Sequence, residues 1–290
     1  LIDENHKVYL CDFGWGSINC ELDCGIGIWN CNNKQKPGGF LYDDTSLERL
    51  GFTEDITPPY MDVKRKVGSQ SEIPSIHSSS DDIIVSGYQE FTINRKTHMI
   101  KYKKKVEKYL YFQQLTKELK NESNCTSMVD IGCSSGLYSF MAYNSGFEHI
   151  VSLDHDTEYI DKFQKIINLC NIKNINPYVY SFGDTISETF DVVFCGAIIH
   201  WIFSLTSDFR NFNSIIEYIV SLSKQFLVIE WVDPKDAAIV SFNHITRRQK
   251  DGDETYNTHN FEQALQHYTT IVKKTKVDGT TRTMYVCKIF

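Results

Sequence analysis

The sequence predicts an α/β fold built on a seven-stranded, mostly parallel sheet that ends in an antiparallel hairpin. From about residue 101 onward, short apolar runs alternate with helical patterns, which is typical of βαβ units. A glycine-containing turn follows the first apolar run and opens a helix. Near the C-terminus, an Asp-Gly pair separates two further runs, and such a pair between alternating runs indicates a hairpin.

The elements of this region follow from their periodicity. Apolar residues at helical spacing predict a helix over residues 101–120, and further helical patterns cover 136–145 and 157–170. Short apolar runs predict buried strands, at 128–131, 149–153, 176–180, 192–195 and 226–229. The closing hairpin consists of the runs 270–277 and 283–289, with Asp278 and Gly279 in the turn.

Three regions of different composition precede or form this fold. Residues 1–57 are rich in Gly, Cys and Asp and predict a small N-terminal module. Residues 58–100 contain Pro58-Pro59 and the polar run 78–82, which buries too little apolar surface to order itself. We therefore expect a partly disordered linker there, with a possible role as a lid. The α/β domain itself is predicted to span residues 101–290.

Charge and cysteine content limit which partners, which cell compartment and which metal sites are expected. The net charge of −7 makes a nucleic-acid or anionic-membrane partner unlikely, because such binders carry a basic excess. No apolar run approaches the roughly 20 residues of a membrane span, and the nine cysteines are odd in number and scattered. This predicts a cytoplasmic protein in a reducing compartment. Cys20, Cys24 and Cys31 lack a histidine partner at zinc-binding spacing, so no metal site is predicted.

The turn after the first strand is a candidate ligand site. It reads Asp130-Ile131-Gly132-Cys133-Ser134-Ser135-Gly136, and the amides at the start of the following helix would face a ligand. Asp154 ends the second strand, eighteen residues after Gly136. An acidic residue at that position binds ribose hydroxyls in nucleotide sites.

These residues resemble the first motif of class I S-adenosylmethionine (SAM)-dependent methyltransferases, which have a Rossmann-like sheet. The resemblance covers roughly residues 101–290 and implies SAM as the cofactor. It also implies a cofactor site at the ends of the first four strands and in the loops after them. Its residues are Asp130, Gly132, Cys133, Gly136, Asp154, Asp184 and Gly196. In this resemblance Asp154 binds the ribose, Asp184 contacts the adenine, and Gly196 lets the backbone pass close to the methionine part.

Catalytic residues are expected at the ends of strands four and five, because ligands of open α/β sheets bind at the carboxyl edge. His200 follows strand four and has the intrinsic pKa of a general base. Glu230 and Asp233 end strand five, where an acidic side chain more often faces a cleft than the core. His244, Arg247 and Arg248 come later and could either close over a substrate or lie on the surface.

The acceptor is indicated by a looser resemblance. The stretch from Glu230 to Pro234, together with residues 261–265, is similar to methyltransferases that act on sugar hydroxyls in nodulation factors and surface polysaccharides. This implies O-methylation of a sugar or glycan. The alternatives are methylation of a small metabolite or of RNA, and a non-catalytic partner module with a Rossmann-like fold.

The first residues carry a second resemblance. The stretch that leads into Asp12-Phe13-Gly14 is similar to the end of a kinase catalytic lobe, in which the Asp holds magnesium. The glycine-rich loop, the strand-three lysine and the catalytic-loop aspartate would lie upstream of this chain. Residues 1–57 are therefore expected to be a kinase-tail-like fragment, which fits fusions of kinases with methyltransferases that act on polysaccharides. The alternative is an accidental match, because a three-residue motif is common.

Overall fold

A computed structural model of the chain describes residues 75–78, 81–102, 106–206, 208–249, 252–277 and 279–290. The predictions for the kinase-tail-like residues 1–57 and for the cysteines at 20, 24 and 31 fall outside these residues, as does the part of the predicted linker at 58–74. The elements below are numbered along the described chain.

Much of the predicted linker is a small antiparallel sheet. Its four strands are β1 (Ser75–Ser78), β2 (Asp82–Ser86), β3 (Phe91–Asn94) and β4 (Ile100–Lys101), in the order β1-β2-β3-β4. The linker was expected to be partly disordered, and the residues of these four strands are ordered. Alternate side chains such as Ile83, Val85 and Ile93 are buried in the same core as the α/β domain, and this packing offsets the entropy cost of ordering a polar segment.

The main sheet has seven strands and confirms the predicted fold class. In chain order the strands are β5 (Ser127–Ile131), β6 (His149–Asp154), β7 (Ile175–Val179), β8 (Phe190–Gly196), β9 (Ser223–Val232), β10 (Thr269–Lys276) and β11 (Arg282–Ile289). Their spatial order is β10-β11-β9-β8-β5-β6-β7. The five strands β5 to β9 are parallel to one another, whereas β10 and β11 form the antiparallel hairpin beside β9.

Helices cover both faces of this sheet. They are α1 (Val106–Ser123), α2 (Leu137–Asn144), α3 (Thr157–Cys170), α4 (Ile199–Leu205), α5 (Phe212–Ser221), α6 (Ala237–Phe242), α7 (His244–Arg248) and α8 (Thr258–Tyr268). Buried residues of α1, α2 and α3 form one core with the small sheet, and those of α4, α5 and α8 form a second core. None of the helices in the described ranges has the length and apolarity required to cross a membrane.

The topology brings the candidate residues to one edge. Because β5 to β9 are parallel, their carboxyl ends lie together, and the ligand of an open α/β sheet binds there. Arg282, the first residue of the antiparallel strand β11, pairs with Val232 at the end of β9. The start of β11 therefore lies at the same edge.

Candidate functional site

The loop between β5 and α2 turns at two glycines. Gly132 and Gly136 have φ angles of +78° and +85°, in the left-handed region that favours glycine. A Cβ on Gly132 would overlap the side chain of Ile198, and one on Gly136 would overlap the ring of Phe163. Both glycines are therefore required by the turn and by the packing of the protein itself, and not only by the approach of a ligand.

Asp154 holds this loop against the end of β6. Its carboxylate accepts hydrogen bonds from the backbone N–H of Ser134 at 2.8 Å and of Asp156 at 3.0 Å. The side chain is almost fully buried, and burial would raise its pKa, but His155 and the two amides hold the pKa below its usual range. An ionised carboxylate therefore borders the glycine loop, in the position expected for binding ribose hydroxyls.

The other predicted cofactor residues differ in their burial and in their local contacts. Gly196 ends β8, where a Cβ would lie 3.0 Å from the Phe194 ring. Cys133 is fully buried, so the loop can offer a ligand only its backbone at this position. Asp184 lies exposed on the turn after β7, and its carboxylate accepts a hydrogen bond from the N–H of Ser181 at 2.9 Å. Contact of these residues with a cofactor stays a prediction.

Asp130 is fully buried near the end of β5, two residues before Gly132. One carboxylate oxygen accepts a hydrogen bond from the Ser139 hydroxyl at 2.7 Å, and Ser139 also contacts the hydroxyl of Ser152 at 2.8 Å. Burial, and to a smaller degree the charge of Asp154, raise the pKa of Asp130 to about 7 despite the Ser139 bond. Asp130 thus connects β5 to α2 through Ser139, across the glycine loop that joins these two elements.

This raised pKa predicts a pH-dependent stability. Between the unfolded pKa of about 3.9 and the folded pKa of about 7, the folded state keeps a proton that the unfolded state releases. The contribution of Asp130 to stability should therefore fall as the pH rises through this interval. Asp130→Asn mimics the protonated form, so the variant should gain stability relative to the wild type between pH 5 and pH 8. Urea unfolding at both values measures this, and a pH-independent difference would contradict it.

Glu230 lies in a buried ion-pair network. Lys108 Nζ lies 2.7 and 2.6 Å from its two carboxylate oxygens, and Arg282 Nη1 lies 3.2 Å from one of them. Arg282 Nε also forms an ion pair with the Asp236 carboxylate at 3.2 Å. That carboxylate in turn accepts a hydrogen bond from the Thr281 hydroxyl at 2.7 Å. Burial would raise the pKa of Glu230, but Lys108 and Arg282 lower it below the usual range. A carboxylate bound by two cations is a weak proton acceptor, so this geometry favours a binding or structural role for Glu230.

The network lines an open cleft. Lys108, Glu230, Asp236 and Arg282 form its wall together with Lys276 and Thr280, around a volume of about 890 Å³. Asp233, the third predicted catalytic residue, is not among the residues that line it. Its carboxylate accepts a hydrogen bond from the N–H of Lys235 at 2.9 Å, which is the bond of a turn-forming aspartate. That contact favours a structural role, and a catalytic role for Asp233 stays a prediction.

His200 packs with Trp201 and His244 rather than with Glu230. The ring centroids of His200 and His244 are 5.2 Å apart, and His244 stacks on Trp201 at 4.0 Å. Both histidines are buried. Burial lowers the pKa of His244 to about 4, and burial together with the charges of His244 and Arg282 lowers the pKa of His200 well below 6.5. Both imidazoles are therefore neutral at pH 7, although the sequence alone indicated an ordinary histidine pKa for His200.

Three ring nitrogens of this pair are unsatisfied. Among the residues that the structure describes, no hydrogen-bond partner is found for His200 Nδ1, His244 Nδ1 or His244 Nε2. Each buried polar atom of this kind costs about 1–3 kcal/mol. These nitrogens are free to form a hydrogen bond, for example with a hydroxyl, and His244 is buried rather than on the surface. The side chains of Arg247 and Arg248 fall outside the described residues.

Sequence reasoning missed several residues of this site. Lys108, Asp236 and Arg282 lie far apart in the sequence and belong to no motif. Lys108 ends the lysine-rich stretch 101–108, and a charge run of this kind is usually a solvated helix face. Gln89, described below, fell in the predicted linker. The one available signal was that Lys108 and Arg282 each interrupt or border an apolar run.

Residues 109–220 match the family model of ribosomal protein L11 methyltransferase (PrmA). The match spans less than half of the 290 residues and includes the glycine loop, Asp154, Asp184 and His200. Together with the sheet order and the loop geometry, it supports a class I, SAM-dependent methyltransferase with SAM as the cofactor.

Three solved structures of similar fold are distant from this chain in sequence. N-methyltransferase NodS from Bradyrhizobium japonicum WM9 is 13% identical with a TM-score of 0.48, over 63% of this chain and 95% of that one. Magnesium protoporphyrin IX methyltransferase (ChlM) from Synechocystis PCC 6803 is 14% identical with a TM-score of 0.49, over 64% and 84%. WbdD is 15% identical with a TM-score of 0.47, over 61% of this chain and 40% of that one. At such identities the likeness concerns the fold alone.

Proposed function

We propose that this SAM-dependent methyltransferase transfers the methyl group to a hydroxyl of a sugar or glycan. The observation that carries the proposal is the pair of buried, neutral histidines with unsatisfied ring nitrogens at the carboxyl edge of the sheet. A hydroxyl is a poor nucleophile until its proton is removed, and a neutral imidazole can accept that proton.

The cleft fits a hydroxyl-rich acceptor. Among the described residues its wall holds three cations and three carboxylates, and four of these six groups are paired with one another. The opposite charges balance, so the wall has no excess charge with which to select a phosphate or a polyanion. Lys108 and Arg282 keep further N–H groups, and Asp236 and Thr280 have oxygens that can accept bonds. Alternating donors and acceptors of this kind suit the hydroxyls of a sugar.

In the proposed reaction, the protein contributes position and a base. SAM supplies, when bound, a methyl group on a sulfonium that leaves as a neutral thioether. Asp154 and the glycine loop would hold the cofactor, while the charged cleft would orient the acceptor oxygen toward it. His200 would take the hydroxyl proton as the oxygen bonds to the methyl carbon. His200 is not among the residues that line the cleft, but Arg282 and Asp236 of the cleft wall are among the charges that act on it.

The family match favours a second acceptor class. The matched family is described as methylating a ribosomal protein, so an amino group of a protein is the competing acceptor. The alternatives from the sequence are a small metabolite, RNA, and a non-catalytic role. Transfer of a labelled methyl group from SAM onto nucleotide-sugars, glycans, RNA and ribosomal protein separates these classes. Label on RNA or protein alone would contradict the proposal.

Cofactor binding is tested by Asp154→Ala. Loss of the carboxylate removes its bonds to ribose hydroxyls and releases the loop at Ser134, so SAM affinity should fall by about 1–3 kcal/mol, or roughly 5- to 150-fold. The control is Asp156→Ala, which removes only the cap that accepts from Glu158 N–H at 2.9 Å. Calorimetric titration measures both, and unchanged affinity in folded Asp154→Ala would remove this residue from the cofactor site.

A further inference from the structure

The turn between β2 and β3 reaches the cofactor loop from a different part of the chain. It comprises Gly87, Tyr88, Gln89 and Glu90, and it is carried by the small antiparallel sheet. That sheet is anchored in the main core, because Phe91 is buried and its ring lies 5.9 Å from the ring of Phe140 in α2. The turn therefore projects from a packed base rather than from a flexible linker.

Gln89 supplies the missing cap of the cofactor helix. Its side-chain oxygen accepts a hydrogen bond from the backbone N–H of Leu137 at 3.0 Å, and Gln89 is only 4% exposed. Leu137 is the first residue of α2 and directly follows Gly136. The N–H groups of a first helical turn have no partner within the helix, and Gly136 provides no side-chain cap. The bond from Gln89 thus fixes the point at which the loop 132–136 becomes helix.

The neighbouring residue of the same turn reaches the cleft. Tyr88 is half exposed. Burial alone would lower the pKa of Arg282, but its interactions with Tyr88, Glu230 and Asp236 raise this pKa. Two consecutive residues therefore contact the two halves of the site. Gln89 contacts the cofactor loop, and Tyr88 contacts the charged wall of the acceptor cleft.

We infer that Gln89 is a positioning residue for SAM, which acts by holding the glycine loop in its binding conformation. The inference rests on the proposed function, since it concerns the same cofactor site. Glycines give the unbound loop many conformations, and ordering them on binding costs free energy. A cap that is already in place removes part of this cost and so raises affinity. The small sheet then contributes to SAM binding, because it holds Gln89 in place.

A second contact between the same two elements provides a matched control. Asn144, at the last position of α2, donates a hydrogen bond from its side chain to the backbone oxygen of His98 in the small sheet region, at 2.9 Å. This bond lies at the opposite end of α2 from the glycine loop. If the small sheet only stabilised α2 by packing, loss of either bond should have the same effect on cofactor binding.

The experiment compares Gln89→Met and Asn144→Leu, which keep the side-chain size and remove the hydrogen bond. Binding of S-adenosylhomocysteine is measured by calorimetry, and the melting temperature is measured without ligand. Both variants should melt somewhat lower than the wild type. Gln89→Met should bind S-adenosylhomocysteine about tenfold more weakly, while Asn144→Leu should bind it within about twofold of the wild type.

Hydrogen exchange of the wild-type protein provides a test that needs no variant. S-adenosylhomocysteine should slow exchange both in residues 132–139 and in residues 87–91. Protection confined to the loop, or equal affinities in Gln89→Met and Asn144→Leu, would overturn the inference while leaving the proposed function intact. A wild-type protein that does not bind S-adenosylhomocysteine would instead overturn the proposed function.

Discussion

Replacing His200 with alanine should lower kcat of methyl transfer by about 10²-fold or more, because the proton of a hydroxyl acceptor then has no base to receive it. His200 is 2% exposed and stands beside His244 with an unsatisfied ring nitrogen. Affinity for SAM should stay unchanged, since Asp154 and the glycine loop are untouched. A fall in kcat with intact cofactor binding is the signature of a group that acts in the chemical step.

The pH dependence should differ from that of an ordinary histidine base. A base must be deprotonated to act, and burial lowers the pKa of His200 well below 6.5. The rate should therefore be level between pH 6.5 and 8 and should fall only at more acidic pH, as the imidazole gains a proton. A rate that rises through pH 6.5 would show that the acting base has a normal pKa and is not His200 in this environment.

Two further histidine variants make this result specific. His244→Ala should also lower kcat, by about tenfold, because its ring packs against His200 and fixes its position. His149→Ala is the control, since this histidine is half exposed, pairs with Glu188 and lies at the start of β6, at the opposite edge of the sheet. Near wild-type kcat in both His200→Ala and His244→Ala would place the base elsewhere.

Lys108→Met should lower the free energy of unfolding by about 3–5 kcal/mol, because it removes one partner of a buried carboxylate. Glu230 is fully buried, and Lys108 is 8% exposed. In the variant, Glu230 keeps only Arg282, at 3.2 Å, and its pKa should rise. Chemical denaturation at pH 7 measures the loss.

The double variant Lys108→Met/Glu230→Gln separates pairing from packing. If the penalty arises from the unpaired charge, neutralising Glu230 should recover a large part of the stability. Lys120→Met is the matched control on the same helix, because its partner Glu148 is largely exposed; such a surface pair contributes about 0–1 kcal/mol. Equal losses in Lys108→Met and Lys120→Met would contradict the assignment of a buried network.

The sequence alone was sufficient for the fold class and for the place of the glycine loop and of Asp154 within the sheet. The parallel strands of the main sheet contain short apolar runs that are bounded by turn residues, so a local pattern identifies them. The glycine loop and Asp154 occupy fixed places relative to their strands, which puts them at the carboxyl edge in any sheet of this order. Gly132 and Gly136 both adopt left-handed φ angles, which fits the turn that was predicted between the first strand and its helix.

The small sheet could not be predicted because its strands are short and depend on a partner. In β2 only Ile83 and Val85 are buried, and the segment is flanked by serines and aspartates. Such a strand is not stable alone. Whether it orders depends on the apolar surface that α2 and α3 present to it, and this is a property of the assembled domain.

Tertiary structure alone decided the chemistry of the candidate acceptor site. Glu230 was identified from the sequence as an acid that leaves strand five, but its partner Lys108 lies 122 residues away in the chain. His200 was identified as a base, yet burial in the folded chain lowers its pKa, and the charges of His244 in α7 and of Arg282 in β11 lower it further. A local sequence pattern specifies backbone conformation and burial. The charge state of a side chain depends on how far it is desolvated and on which charges packing brings within a few ångströms, and these follow only from the folded chain.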